Sequence, residues 1–445
     1  MTNRQTEERP ATVPQVAKQA GDVRARWAWT EPSVWTERML TTLEVGVKGR
    51  KWYSLMDKVY AVANLRVAFA RVKANGGAAG VDHQTIKGFE QHLEENLARL
   101  SQALKDGTYR PQAVRRVWID KLGSKDKRPL GIPTVIERVA QGALRHVLEP
   151  IFERDFSAQS YGFRPGRGCR DALRRVDELL KAGFVWVVDA DLKSYFDTIP
   201  WVPLLERVAE KVSDGRVLDL LKTYMSAKIM DGLKEWTPEE GSPQGAIISP
   251  LLSNIYLDPL DHAMAQTGYE MVRYADDFVI LCRSQVEAEK ALEQVQQWTA
   301  QADLTLHPVK TRIVDASQAG GFDFLGYHFE RGLRWPRQKS LDKFKDTIRA
   351  KTQRVNGQSL EAVIKDVNRT LIGWFGYFKH SHRLTFRIHD QWIRVRLRSI
   401  LRQRHGGRGR GRGLDHLRWP NAYFVKQGLF SLTSAHAQLC QSLTR

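Results

Sequence analysis

Tyr274-Ala275-Asp276-Asp277 decides the reading of this chain. An apolar pair, Met271-Val272, lies before it, and an apolar run, Phe278-Val279-Ile280-Leu281, follows it. Two apolar segments around a short polar break predict a β-hairpin. Its turn then carries two adjacent carboxylates. Such acids repel each other and gain nothing from burial, so they point to a divalent cation between them. Upstream, Phe184-Val185-Trp186-Val187-Val188 leads into Asp189-Ala190-Asp191. Side chains alternate along a strand, which puts Asp189 and Asp191 on one face at its end. An acid after an apolar run sits where solvation is poor, which argues against an ordinary surface residue. Carboxylates delivered by two neighbouring strands are what a two-metal phosphoryl-transfer site requires.

Further strings surround these acids in a fixed order. Asn75-Gly76-Gly77-Ala78-Ala79-Gly80-Val81-Asp82 resembles the N-terminal loop block of the group II intron-encoded reverse transcriptase/maturase family. Lys127-Arg128-Pro129-Leu130-Gly131-Ile132-Pro133-Thr134 is similar to its fingers block, and Ser160-Tyr161-Gly162-Phe163-Arg164-Pro165-Gly166-Arg167 to the next. Asp191-Leu192-Lys193-Ser194-Tyr195-Phe196-Asp197 looks like the palm block with the first catalytic aspartate, and Gly241-Ser242-Pro243-Gln244-Gly245 like the template-positioning block. Tyr274 to Asp277 matches the second catalytic block. Phe322-Asp323-Phe324-Leu325-Gly326-Tyr327 resembles the block that closes the palm. The resemblance runs from about residue 50 to the C-terminus. One string alone is weak; the ordered set is specific.

The resemblance implies an α+β right-hand polymerase, fingers and palm with an antiparallel sheet, plus an α-helical thumb that the family calls the maturase domain. Its implied activity is RNA-directed DNA polymerase, with Asp191, Asp276 and Asp277 catalytic. The implied ligand set for two Mg²⁺ ions, with Mn²⁺ as a substitute, is Asp191, Leu192, Asp276 and Asp277; a leucine can offer only its main-chain oxygen. Asp189 is expected behind these ligands and Asp197 as a helix cap. Phe196 matches a steric gate under the sugar, with ordinary palm core as the alternative. Gln244 resembles the residue that contacts the incoming nucleotide. Lys121 and Arg128 flank the fingers hairpin whose tip reaches the triphosphate, with Lys125 and Lys127 as competing choices. Lys310 resembles the lysine that protonates the pyrophosphate leaving group; a solvated lysine is the alternative. Arg164 reads equally as structural or as a template contact. Ala275 favours a mobile-intron polymerase over the repair relatives that carry a bulkier residue there.

Charge locates a second function. Arg331 to Arg445 holds 25 Lys+Arg against 6 Asp+Glu, a net of +19 that equals the whole chain's, so the first 330 residues are neutral. A basic segment on a neutral body suggests a surface for a polyanion. Within it, Arg394, Arg398 and Arg402 recur every four residues beside an apolar stripe of Ile393, Leu397 and Leu401. The bland reading is a solvated helix face; the regional charge favours nucleic acid. The run His405-Gly406-Gly407-Arg408-Gly409-Arg410-Gly411-Arg412-Gly413 predicts a flexible segment whose Arg408, Arg410 and Arg412 contact an RNA backbone.

The expected organisation is a disordered tail at 1–34, a helical extension with the loop block at 35–110, fingers and palm at 111–335, a helical thumb at 336–404, and a basic Arg/Gly linker with an RNA/DNA-binding tail at 405–445. Helices are expected at Ser340–Arg354, Ser359–His380 and Arg387–Arg404, with Trp374, Phe375, Tyr377 and Phe378 as thumb core. Cys169, Cys282 and Cys440 form no Cys-x-x-Cys pair, so no zinc site or disulfide framework is expected. The chain therefore resembles family members without the His-Asn-His endonuclease, which implies a borrowed primer. No membrane span or signal core is apparent, which fits a bacterial cytosol. Implied partners are group II intron RNA, an RNA template with a DNA or RNA primer, target DNA and dNTPs. Retron, defence, CRISPR-associated and repair reverse transcriptases, or a splicing-only maturase, remain the alternatives. Oligomeric state is not legible.

Overall fold

The structure, a computed structural model, describes residues 20–47, 49, 51–120, 127–242, 245–355 and 357–443. β1 (Val114–Asp120) and β2 (Lys127–Ile132) form an antiparallel fingers hairpin, with Arg115 opposite Ile132 and Asp120 opposite Lys127. Its tip, with Lys121 and Lys125, lies outside the described residues. The chain then crosses into the palm with β3 (Trp186–Asp191) and returns to the fingers with β4 (Ile229–Asp231) and β5 (Lys234–Trp236). β4 pairs in parallel with β1, Val114 facing Ile229, so the fingers sheet runs β2-β1-β4-β5. Nothing in the local pattern predicts this parallel pairing, because it depends on a partner more than a hundred residues away.

The palm sheet adds β6 (Glu270–Tyr274), β7 (Asp277–Cys282) and β8 (Arg312–Asp315) in the order β6-β7-β3-β8, all antiparallel. The α-helices Ser249–Gln266 and Gln285–Gln301 pack against it. The helix Val135–Glu153 joins fingers to palm. It starts at a capping box in which Thr134 and Glu137 satisfy each other's backbone N–H. A third sheet, β9 (Phe322–Phe324), β10 (Tyr327–Glu330) and β11 (Leu333–Pro336), carries the chain into the thumb.

Three thumb helices, Gln338–Lys351, Leu360–Phe378 and Arg383–Arg404, follow the expected order and enclose their own core of Phe344, Val363, Leu371, Phe386, Ile393 and Leu397. Trp374 stacks on Phe344 with ring centroids 4.4 Å apart. Tyr377 and Phe378 do something else: they seat the thumb on the palm. The Tyr377 hydroxyl donates to Leu325 O at 2.7 Å, the Tyr327 hydroxyl donates to Tyr377 O at 2.7 Å, and Phe378 packs 5.1 Å from Tyr327.

Two expectations about the ends need correction. Residues 20–34 are not a loose tail: Ala20–Arg26 is helical, and Val23 and Val34 are buried with Trp35, whose indole donates to His146 O at 2.9 Å. Apolar anchors too few for a periodic signal suffice once a core is present. Residues 1–19 lie outside the described residues. After residue 404, Trp419, Phe424 and Leu432 close the thumb core, and the Asp390 carboxylate accepts the backbone N–H groups of Leu432 and Thr433 at the start of the helix Leu432–Leu443. The Arg/Gly run is also folded. A Cβ on Gly411 would stand 2.6 Å from Arg398 Cβ, and one on Gly407 would stand 2.7 Å from Arg402 Cγ. Those two glycines lie against the helix while Arg408, Arg410 and Arg412 are exposed.

Candidate active site

Register builds the site. β3 and β7 pair so that Asp191 stands opposite Asp277, and β6 closes on β7 with Tyr274 opposite Asp277. Ala275 and Asp276 are therefore the two turn residues, and Asp277 opens β7. Ala275 has φ 61°. A hairpin turn with positive φ at its first central residue usually takes glycine there.

The carboxylates crowd together in a poorly solvated place. Burial raises the Asp276 carboxyl above its ordinary range, with Asp191 adding to the effect. Asp277 is pushed up to about 7, first by burial and then by Asp276, Asp189 and Asp191. Burial also raises Asp189, whose partner is Arg312 across the sheet at 3.2 Å. Asp189 thus stands behind the pair with its own counter-charge. Asp191 is ion-paired to Lys310. Among the described residues no three Asp, Glu, His or Cys side chains converge closely enough to hold a metal as they stand. The donor chemistry nevertheless fits one: the carboxylates are oxygen donors of the kind magnesium takes, and the raised proton affinity of Asp276 and Asp277 reflects a need for positive charge. Leu192 is buried and bridges to Leu306.

Other expected residues arrive from different elements. Phe196 sits in a short helical turn, Tyr195–Thr198, after Ser194 at φ 51°. Its carbonyl accepts the Ser242 N–H at 2.7 Å, which draws the Gly241–Gly245 loop against it. Gly241 and Gly245 have no room for a side chain: a Cβ on Gly241 would lie 2.7 Å from the Asp197 carbonyl carbon, and one on Gly245 would lie 2.3 Å from Gly131 O. Gln244 itself lies outside the described residues. Arg128 faces this region from β2, close enough to draw down the carboxyls of Asp276 and Asp197. Burial keeps Asp197 above its ordinary range even so. Asp197 lies within the helical turn Tyr195–Thr198, and its main chain packs against Gly241.

Several predicted nucleic-acid contacts are spent internally. The Arg164 side chain is 3% exposed, paired with Glu153 at 2.8 Å and donating to Ser160 O at 2.8 Å. It ties the loop before the site to the helix Val135–Glu153 and offers nothing to a template. Arg398 is buried, donating to Trp419 O at 2.8 Å and to Asn421 Oδ1 at 2.7 Å. Arg402 donates to Arg408 O at 2.9 Å and pairs with Asp415 at 2.6 Å. Arg394 lies 3.9 Å from Asp390. The segment after residue 404 returns over Arg398 and Arg402, which no pattern within the helix reveals.

One buried charge beside the site escaped the sequence reading. Arg273, within β6, is fully buried and ion-paired to Asp261. Its signal was an arginine in the short strand Glu270–Tyr274 just before the turn that carries Asp276.

The chain has recognisable relatives. The reverse transcriptase (RNA-dependent DNA polymerase) family matches residues 119–329, and the group II intron maturase-specific domain matches residues 341–419. The group II intron-encoded protein LtrA of Lactococcus lactis is 40% identical over 202 residues, 45% of this chain but 33% of LtrA, so the match spans about a third of that protein. Protein YkfC of Escherichia coli is 32% identical over 347 residues, 69% of this chain and 86% of YkfC. A chain of a partial Cas6-RT-Cas1--Cas2 complex aligns with TM-score 0.37 and 24% identity over 56% of this chain and 41% of its own length. With the polymerase match carrying the crowded aspartates and the maturase match carrying the thumb, the chain belongs to the group II intron reverse transcriptase/maturase family.

Proposed function

We propose that this chain is an RNA-directed DNA polymerase that copies intron RNA into cDNA by nucleotidyl transfer. The observation that carries the reading is the in-register pair Asp191–Asp277 with Asp276 at the adjoining turn. Asp191, Asp276 and Asp277, with the main chain of Leu192, would hold two Mg²⁺ ions, or Mn²⁺ in their place. Those ions supply activation of the primer hydroxyl and neutralisation of the triphosphate. The chain's own residues do the rest. In this reading Arg128 and Lys121 would orient the triphosphate, Gln244 would contact the incoming nucleotide, and Phe196 would abut the sugar and disfavour a 2′-hydroxyl. Lys310, ion-paired to Asp191, would give a proton to the leaving pyrophosphate. Asp276→Asn should abolish Mg²⁺-dependent dNTP incorporation on a primed RNA template without unfolding the chain. Retained synthesis in that variant removes the assignment.

We infer a second role as a maturase that holds its intron RNA in splicing-competent form in the cytosol. The basic thumb, 336–404, and the segment 405–445 support it, above all the exposed Arg408, Arg410 and Arg412. Splicing assistance that survives deletion of residues 331–445 would refute this role.

A further inference from the structure

Arginine is costly to bury. Arg273 has no exposed surface, and neither has its partner Asp261. Such a pair is weak as a source of stability, since apolar residues of similar volume do as well. Its geometry is better explained by what it grips. The Arg273 Nε donates to Asp261 Oδ1 at 2.7 Å, Nη2 to Ser160 Oγ at 2.8 Å, and Nη1 to both Asn254 Oδ1 at 3.0 Å and the carbonyl of Ala275 at 2.8 Å. That last acceptor belongs to the strained residue of the catalytic turn. A non-glycine residue in the left-handed region costs about 1–2 kcal/mol, so something must hold it there.

A second contact closes the grip. Asn254 donates to Gly162 O at 2.8 Å, and Gly162 lies under the turn so closely that a Cβ on it would stand 2.3 Å from Ala275 N. Backbone bonds from Tyr161 N to Arg273 O at 2.8 Å and from Arg273 N to Gln159 O at 2.9 Å fix the same loop to β6. Arg273, Asn254, Gly162 and Ala275 thus form a closed ring.

We propose that Arg273 is the positioning residue of the catalytic turn: its guanidinium, fixed by Asp261, Asn254 and Ser160, holds the Ala275 carbonyl and thereby sets where Asp276 and Asp277 stand. This rests on the polymerase reading above. Arg273 touches no substrate in it; it acts through the turn.

The test separates positioning from charge and from bulk stability. Mn²⁺ binding is measured by titration calorimetry on the full chain, beside dNTP incorporation, for wild type, Arg273→Lys and Asn254→Ala. Lysine keeps the charge but cannot make the forked contacts. The expected result is about a 10- to 100-fold loss of Mn²⁺ affinity and of kcat in Arg273→Lys, as for other residues that orient metal ligands. The KM for dNTP should stay within about threefold, because substrate contacts are intact. If Arg273→Lys does not fold, Asn254→Ala removes one grip without stranding a charge and should show the same split at about tenfold. The proposal is overturned if lysine restores Mn²⁺ affinity to the wild-type value, or if the variants lose only thermal stability. A wild type that binds Mn²⁺ but incorporates no dNTP defeats the polymerase reading, while the Mn²⁺ shift still decides this one.

Discussion

Asp277→Asn should make the metal-free protein more stable while destroying its activity. Burial and three neighbouring aspartates push the Asp277 carboxyl up to about 7 from an ordinary value of 3.8. A carboxyl raised in the folded state contributes stability that is full below its unfolded value and is lost as pH rises through the folded one. The loss therefore falls between about pH 4 and pH 7. A displacement of roughly three pH units corresponds to about 4 kcal/mol as an upper bound, at about 1.4 kcal/mol per unit. Asparagine has nearly the same shape and no charge, so it escapes the loss. The assay is thermal unfolding in chelator-treated buffer from pH 4.5 to pH 8.5. Wild type and variant should melt together at the acid end and separate by about 3 °C or more above pH 7.5. Added Mg²⁺ should then raise the wild type and leave the variant nearly unmoved, since only a state that binds ligand is stabilised by it. Parallel melting curves across the whole range, or a variant less stable at pH 8, would refute the reasoning that these carboxylates are held together against their repulsion.

Lys310→Ala should slow nucleotide incorporation by about 10²-fold or more with little change in protein stability, the range for loss of a general acid; an unchanged rate between about pH 7 and 9 would return Lys310 to the role of a plain counter-ion. Phe196→Ala should raise the relative use of ribonucleotides by about tenfold or more in single-nucleotide extension, and unchanged selectivity would leave the ring as palm packing. Gly411→Ala should lower the melting temperature through a cost of about 1–3 kcal/mol, because its Cβ would meet Arg398. Arg410→Ala should leave stability within about 0.5 kcal/mol, yet lower the salt dependence of RNA binding by about one phosphate; a steep loss of stability would instead make Arg410 structural.

Local signals placed the carboxylates of the candidate site on their strands. Alternating apolar residues placed Asp189 and Asp191 on one strand face, and the hairpin around Ala275 followed from two apolar runs. Thumb helices were legible because Ile393, Leu397 and Leu401 keep a helical period. What could not be read depends on distant partners. The row Arg394, Arg398, Arg402 has the spacing of a free face, yet Arg398 is spent on Trp419 and Asn421 and Arg402 on Arg408 and Asp415, in the segment that returns after the helix. Arg164 met the same fate through Glu153. Arg273 carries no periodic signature at all, since its meaning lies in Asp261, Asn254 and Ser160. The left-handed Ala275 was hidden for a related reason: alanine does not advertise that conformation, and only the contacts around it impose it.

The folded Arg/Gly run changes what association with a polyanion would cost. A free chain that orders on its partner gives up about 1–2 kcal/mol per residue in backbone entropy. Here Gly407 and Gly411 are already seated on the thumb helix, so much of that loss was incurred when the protein folded. Against such a polyanion Arg408, Arg410 and Arg412 would act as teeth on a fixed comb, matching a strand whose phosphates have the right spacing and unable to stretch to one that does not.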